Sequence, residues 1–297
     1  MINVRKAVKK FGSVYALNEL DLNAGKGSIY GLVGVNGAGK TTVIRNITGI
    51  QKPDSGRILL DGRDVYEDPQ VKGRIGYVAD EVYYMPGCSL DDMADYQAGI
   101  YSGWNEVRYK DLTRDFGMDP KRKLSTFSKG MLKQASLILA LSVMPEWLIL
   151  DEPIDGLDPV MRLKAWDQII EDVAMREMTV LISSHNLREM EGYCDHIGII
   201  AAGRMVIERD LEDLKSDIHK VQVAFTDDRE CEFTGLDVRH RETRGSVEIM
   251  IIKESREKIE NMIGAMQPAV FDILPLTLEE VFIYELGGKS DEIKKII

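Results

Sequence analysis

Three short apolar runs, at 28–33, 147–150 and 180–182, each give way abruptly to glycine or to polar residues. Runs of this length without alternation predict strands buried on both faces, as in the interior of a mostly parallel sheet. Directly after the first run, Val43, Ile44 and Ile47 recur at helical spacing within 42–48, so the chain reads strand, glycine-rich loop, helix. In an open α/β sheet, ligands bind beyond the carboxyl ends of the strands. The tips at Gly34, at Asp151-Glu152 and at Ser183-Ser184-His185 are therefore where chemistry is expected.

Between 81 and 127 the pattern changes to charged helical stretches, punctuated by Pro86-Gly87, Gly103 and Asp119-Pro120. This predicts a helical subdomain inserted at about 81–145. After Arg204 the texture changes again. The segments 221–225 and 246–252 alternate apolar and polar residues, and helical patterns occupy 255–266 and 277–286. The expected division is a first α/β domain over 1–216 and a small C-terminal α+β domain over 217–297.

The 297 residues suffice for one large domain and one smaller one, and 44% hydrophobic with 29% charged residues excludes a disordered chain. A net charge of −11 argues against nucleic acid as a partner, since sequence-independent binding rests on Lys and Arg neutralising phosphates. Cys88, Cys194 and Cys231 are widely separated, show no disulfide or metal-ligand spacing, and read as reduced thiols. The N-terminal residues lack the apolar stretch of a secretory signal. The greasiest region, 132–150, is interrupted by Lys133, Gln134, Pro145 and Glu146, too broken for a membrane span. A cytoplasmic chain is expected, with any membrane link made through a partner.

The loop Gly34-Val35-Asn36-Gly37-Ala38-Gly39-Lys40-Thr41-Thr42 fits the phosphate-binding pattern of a P-loop NTPase. Its glycines let successive backbone N–H groups turn toward phosphate oxygens, and the following helix presents its positive end to the same anion. Lys40 supplies a cation for the β- and γ-phosphates and Thr41 a hydroxyl for Mg²⁺. A chance match in a chain of this length has a probability of roughly 0.01, so a merely structural glycine turn is a poor competitor. At the second tip, Asp151 suits the magnesium ion through a water and Glu152 suits the activation of an attacking water. Asp151 as a simple turn cap is the alternative. His185, at the third tip, is placed to touch the γ-phosphate or that water.

These motifs, with Phe127-Ser128-Lys129-Gly130-Met131 and Asp155-Gly156-Leu157-Asp158, occur in the order and spacing of an ABC transporter nucleotide-binding subunit, which residues 1–215 resemble. The tail at 277–282 resembles the accessory ending of ABC proteins of bacterial drug, antibiotic or polymer exporters. The resemblance implies a P-loop ABC ATPase core that binds ATP and Mg²⁺ and hydrolyses ATP with Glu152 and His185. It further implies that Phe11 stacks on adenine, with a core role as the alternative, and that Thr41, Asp80 and Asp151 serve the metal. Ser128, Lys129, Gly130 and Met131, with Asp158, would face the ATP of a second subunit. The implied partners are that subunit, identical or related, and a multi-span permease that holds the chain on the inner face of the membrane. A soluble ABC ATPase acting on a macromolecule is the other reading.

Four residues depart from the family pattern. Lys129 stands for a glycine and Met131 for a glutamine of the usual signature, Asp80 for a glutamine, and Asp155 for a common serine. Either Asp80 or Glu81 is expected to take over the metal contact of that glutamine. The aromatic run Val82-Tyr83-Tyr84-Met85-Pro86 is a candidate groove for a permease helix, with packing inside the insert as the alternative.

Overall fold

The computed structural model describes residues 1–216, 218–226 and 233–286, so Cys231 and the end of the expected C-terminal domain lie outside the described residues. In chain order, β1 (Ile2–Phe11), β2 (Val14–Ala24) and β3 (Ile29–Val33) precede α1 (Lys40–Ile47). Next come β4 (Ser55–Leu60), β5 (Arg63–Asp64), α2 (Pro69–Lys72) and β6 (Ile75–Val78). The helical insert holds α3 (Leu90–Ile100), α4 (Glu106–Asp115) and α5 (Lys129–Ser142). It is followed by β7 (Trp147–Asp151), α6 (Pro159–Arg176), β8 (Thr179–Ser184), β9 (His196–Ala201) and β10 (Arg204–Asp210). The last elements are α7 (Leu211–Ser216), β11 (His219–Ala224), β12 (Val238–Arg244), β13 (Val247–Ile252), α8 (Arg256–Gly264), β14 (Val270–Leu274) and α9 (Leu278–Leu286).

The chain packs as two compact units, Met1–Asn186 with Gly192–Glu208, and Leu187–Glu191 with the described residues from Arg209 onward. In the first, a six-stranded sheet in the order β10-β9-β3-β8-β7-β6 stands beside a four-stranded sheet in the order β2-β1-β4-β5. β3, β7 and β8 are buried at every position, as their unbroken apolar runs require. The pairings of β3 with β8, β8 with β7 and β7 with β6 are all parallel, with Val33 opposite Ser184, Asp151 opposite Ser183, and Val78 opposite Leu150. That register brings the carboxyl ends of four strands to one edge, and the polar tips go with them. Tyr30, Leu32, Ile44, Ile47, Trp147, Ile149 and Leu181 form the core beneath.

In the second unit the sheet order is β12-β13-β11-β14, and its pairings are antiparallel. Alternation along β13 divides its residues between two cores. Met250 and Ile252 pack with Val221, Val223, Ile259 and Ile263, whereas Ile251 packs with Ile218, Leu276 and Val281. Arg188 pairs with Glu279 at 2.8 Å and Leu278 N–H donates to a Glu191 carboxylate oxygen at 3.4 Å, contacts that join 187–191 to the start of α9.

Candidate functional site

The loop after β3 ends at Gly39, whose φ of 114° is open to glycine. A Cβ there would also lie 2.6 Å from the Ala16 carbonyl oxygen. No side chain caps α1, so its leading N–H groups face the loop's concavity uncapped. Gly37, Lys40, Thr41 and Thr42 line a cavity of about 280 Å³ together with Ala16, Asp80 and Glu152. Asn36 and Gly39 line it too, whereas Ala38 is buried and Gly34 N–H is bound to the Ser184 carbonyl oxygen at 3.3 Å.

Three polar side chains interlock at the cavity mouth. Lys40, 6% exposed, donates to the Gly34 carbonyl oxygen at 2.6 Å and lies 3.3 Å from Glu152 Oε1. Glu152 Oε2 is 3.0 Å from His185 Nδ1. Glu152 itself sits in the left-handed region at φ 47°, a costly conformation for a side-chain-bearing residue. Ser183 accounts for part of its retention. The serine Oγ accepts from Glu152 N–H at 3.1 Å and its O–H donates to Asp151 Oδ1 at 2.6 Å.

Asp151 is completely buried, and its Oδ2 has no hydrogen-bond partner among the described residues. A buried carboxylate oxygen left without a donor is costly, and a metal-bound water supplies what it lacks. Burial and the neighbouring Asp151 carboxylate push the Tyr77 hydroxyl up to about 12, so the phenol stays neutral beside it. No cluster of three His, Cys, Asp or Glu side chains occurs among the described residues, and magnesium needs none, because it keeps waters and takes phosphate oxygens. The residues present fit that ion.

Asp80 lines this cavity and Glu81 does not. Of the two carboxylates after β6, Asp80 is thus the one on the nucleotide side. It also lines a second cavity, of about 430 Å³, with Glu81, Val82, Lys129, Leu132 and Lys133. Phe11 is half exposed at the end of β1, which disposes of a core role, and the Lys9 ammonium lies 6.0 Å from its ring centre. Tyr83 is 83% exposed, while burial pushes the Tyr84 hydroxyl up to about 12. The aromatic run therefore divides, one ring outward and one inward.

The signature segment lies apart from the P-loop cavity. Ser128 caps α5, its Oγ accepting from Met131 N–H at 3.2 Å. A Cβ on Gly130 would meet the Gly156 carbonyl oxygen at 2.6 Å, so glycine lets these two turns touch. Lys129 Nζ lies 2.8 Å from Asp155 Oδ2, so two of the departures from the family pattern are partners. The Lys129 ammonium holds the Asp155 carboxyl below the usual carboxylate range, and Asp155 raises Lys129 in return. Asp158 caps α6, accepting from Val160 and Met161 N–H groups at 3.0 Å. Sequence reasoning missed Ser183 and Lys133. A lone lysine inside the apolar stretch of α5 was the available signal for the latter.

Residues 17–155 match a family model described as ABC transporter. The ABC transporter ATP-binding protein YtrB of Bacillus subtilis is 32% identical over 97% of this chain and 99% of its own length. The bacitracin transport ATP-binding protein BcrA of Bacillus licheniformis is 33% identical over 72% of this chain and 71% of its own. A solved ATP-binding subunit of an ABC transporter superposes with a TM-score of 0.68 at 26% identity, covering 72% of this chain and 92% of that one.

Proposed function

Given that the chain belongs to the family of ABC transporter ATP-binding proteins, we propose that it is the peripheral ATPase subunit of an exporter, closing as a dimer on two ATP molecules to drive a separate permease. It is an ABC ATPase with a P-loop core. In this reading 1–216 is the catalytic domain and 217–297 an accessory one. The observation that carries the reading is Glu152, held between Lys40 and His185 at the mouth of the P-loop cavity.

Arrival of the β- and γ-phosphates gives Lys40 a stronger partner than Glu152, and Glu152 Oε1 is released to accept a proton from the attacking water. His185 keeps hold of Oε2 and so fixes the carboxylate's direction. The backbone N–H groups of the loop and of α1 cradle the phosphates. Thr41, Asp80 and Asp151, the last through a water, would hold magnesium, which when bound would supply positive charge against the phosphate oxygens. Phe11 offers adenine an aromatic face.

Ser128, Lys129, Gly130 and Met131 stand at the amino end of α5, where the helix dipole and Lys129 favour an anion. In this reading the anion is the γ-phosphate on a second subunit, and Asp158 lies along the same contact. Tyr83 is the part of the aromatic run available to a permease helix. Among the described residues no helix is long and apolar enough to cross a membrane, so a cytoplasmic chain held at the membrane by that permease fits. Bacitracin transport, the role in the name of one relative, supports export.

Single-turnover hydrolysis tests the chemistry. Glu152→Gln is expected to slow the step by about 10²-fold or more, the usual worth of a general base, while ATP still binds. Equal rates would remove Glu152 as the base. For the outward link, Tyr83→Ala is expected to abolish copurification with the proposed multi-span permease and leave the isolated ATPase unchanged.

A further inference from the structure

Lys133, 2% exposed, is buried in α5, four residues after Lys129. Its ammonium is surrounded by four oxygens: the carbonyls of Ala79 at 3.4 Å, Asp151 at 3.5 Å and Glu152 at 2.9 Å, and Asp80 Oδ1 at 3.1 Å. Two come from the loop after β6 and two from the tip of β7. An ammonium has three protons to give, so this cage satisfies it, and Asp80 is its carboxylate partner. A cation so deeply buried is tolerated only with its counter-charge in place.

The cage also acts on Glu152. Its backbone is strained at φ 47°, and both its polar groups are held, the N–H by Ser183 Oγ and the carbonyl oxygen by Lys133. That turn aims the carboxylate at Lys40 and His185. We infer that Lys133 is a positioning residue for ATP hydrolysis. It clamps the Glu152 turn from behind, and the clamp depends on the Asp80 carboxylate that neutralises it. The loop after β6, which leads into the helical insert, thereby controls the aim of Glu152 without touching it. The inference rests on the reading of Glu152 as the general base.

The test uses the full chain: parent, Lys133→Met and Lys133→Gln, with Glu152→Gln alongside. Single-turnover rate at saturating ATP and magnesium, ATP dissociation constant and melting temperature are read for each. Lys133→Met is expected to lower the rate by about tenfold or more, equivalent to a loss of about 1.4 kcal/mol in the barrier term, while ATP affinity moves less than about threefold. Lys133→Gln, which keeps a donor for the Glu152 carbonyl oxygen while leaving Asp80 as unpaired as Lys133→Met does, is expected to be at least about threefold faster than Lys133→Met.

A parent-like rate in Lys133→Met, or a Lys133→Gln no faster than Lys133→Met, would overturn the inference. A merely structural lysine would lower the melting temperature without separating rate from affinity. Should Lys133→Met fail to melt cooperatively, Lys133→Leu, which likewise offers the Glu152 carbonyl no donor, replaces it under the same criteria. Parent turnover in Glu152→Gln defeats the general-base reading; an inactive Glu152→Gln beside a fully active Lys133→Met defeats only the clamp.

Discussion

The strand-tip centre and the signature turn are both made of charged side chains, and they are held in opposite ways. At the centre Lys40 and Glu152 are 6% and 12% exposed, and each touches more than one neighbour. At the turn Lys129 and Asp155 are 63% and 49% exposed and meet each other at the solvent-facing surface. Solvent screens the second pair and barely reaches the first. The centre thus holds its arrangement until a stronger charge competes for Lys40, whereas the turn can exchange one partner for another at little cost. A P-loop must keep its geometry between turnovers, whereas a surface that meets a second subunit must let go of its internal contacts first.

The sharpest way to break this contrast is at the centre. Lys40→Ala removes a cation from the phosphate cavity, and hydrogen bonds to charged groups are worth about 1.5–3 kcal/mol each. ATP affinity measured by calorimetry is expected to fall by about 10–100-fold, at about 1.4 kcal/mol per tenfold. A change below about threefold would mean that Lys40 does not meet the phosphates.

Ser183→Ala strikes the same centre from beneath. It leaves Asp151 Oδ1 without its donor and Glu152 N–H without its acceptor, both in a buried setting. Each buried orphan costs about 1–3 kcal/mol, so urea denaturation should show about 2–6 kcal/mol of lost stability. A loss under about 0.5 kcal/mol, the scale of ordinary surface changes, would show that the strand tips are not interlocked as described.

At the turn, Gly130→Ala is expected to do the reverse, costing more function than stability. The new Cβ would press on the Gly156 carbonyl oxygen, and overpacking of this kind costs about 1–3 kcal/mol. Alanine returns up to about 1 kcal/mol through helix propensity, leaving a net change of about 0–2 kcal/mol. Because the two turns must part slightly, ATPase activity of the assembled protein is expected to fall about tenfold, which corresponds to about 1.4 kcal/mol. Unchanged activity with a large loss of stability would invert the comparison.

How much of this was legible in the sequence follows the same division. The tips of β3, β7 and β8 could be located because a strand buried on both faces leaves an unbroken apolar run, and parallel pairing brings such ends together. Of the second unit's strands, β11 and β13 could be located by alternation, whereas β12 and β14 were not. Side-chain pairings across the fold could not. Lys129 and Asp155 each stood out alone as a departure, but nothing in a separation of 26 residues says that they meet. Lys133 read as an interruption in a greasy stretch, because its four oxygens come from loops that only the fold assembles. The grouping of 187–191 with α9 was invisible for the same reason.

The smallest effect expected is at the exposed pair, and its sign with pH is fixed by the direction of the shifts. The folded chain holds the Asp155 carboxyl low, chiefly through the hydrogen bond from Lys129. A depressed carboxyl stabilises the fold above its unfolded value, about 3.9 for aspartate, and loses that contribution as pH falls through the folded one. Lys129 is raised, so its contribution is complete below about 10.4 and disappears only at higher pH. Asp155→Asn should therefore lower stability by a constant amount between about pH 5 and 9, and its deficit against the parent should close toward pH 3. An exposed pair is worth about 0–1 kcal/mol, so the drop in melting temperature is at most about 2–4 °C, and half-molar salt should shrink it further. A deficit that is large, or indifferent to salt, would mean that the signature turn is locked as tightly as the strand tips, and partner exchange at Lys129 would then be too costly to accompany dimer closure.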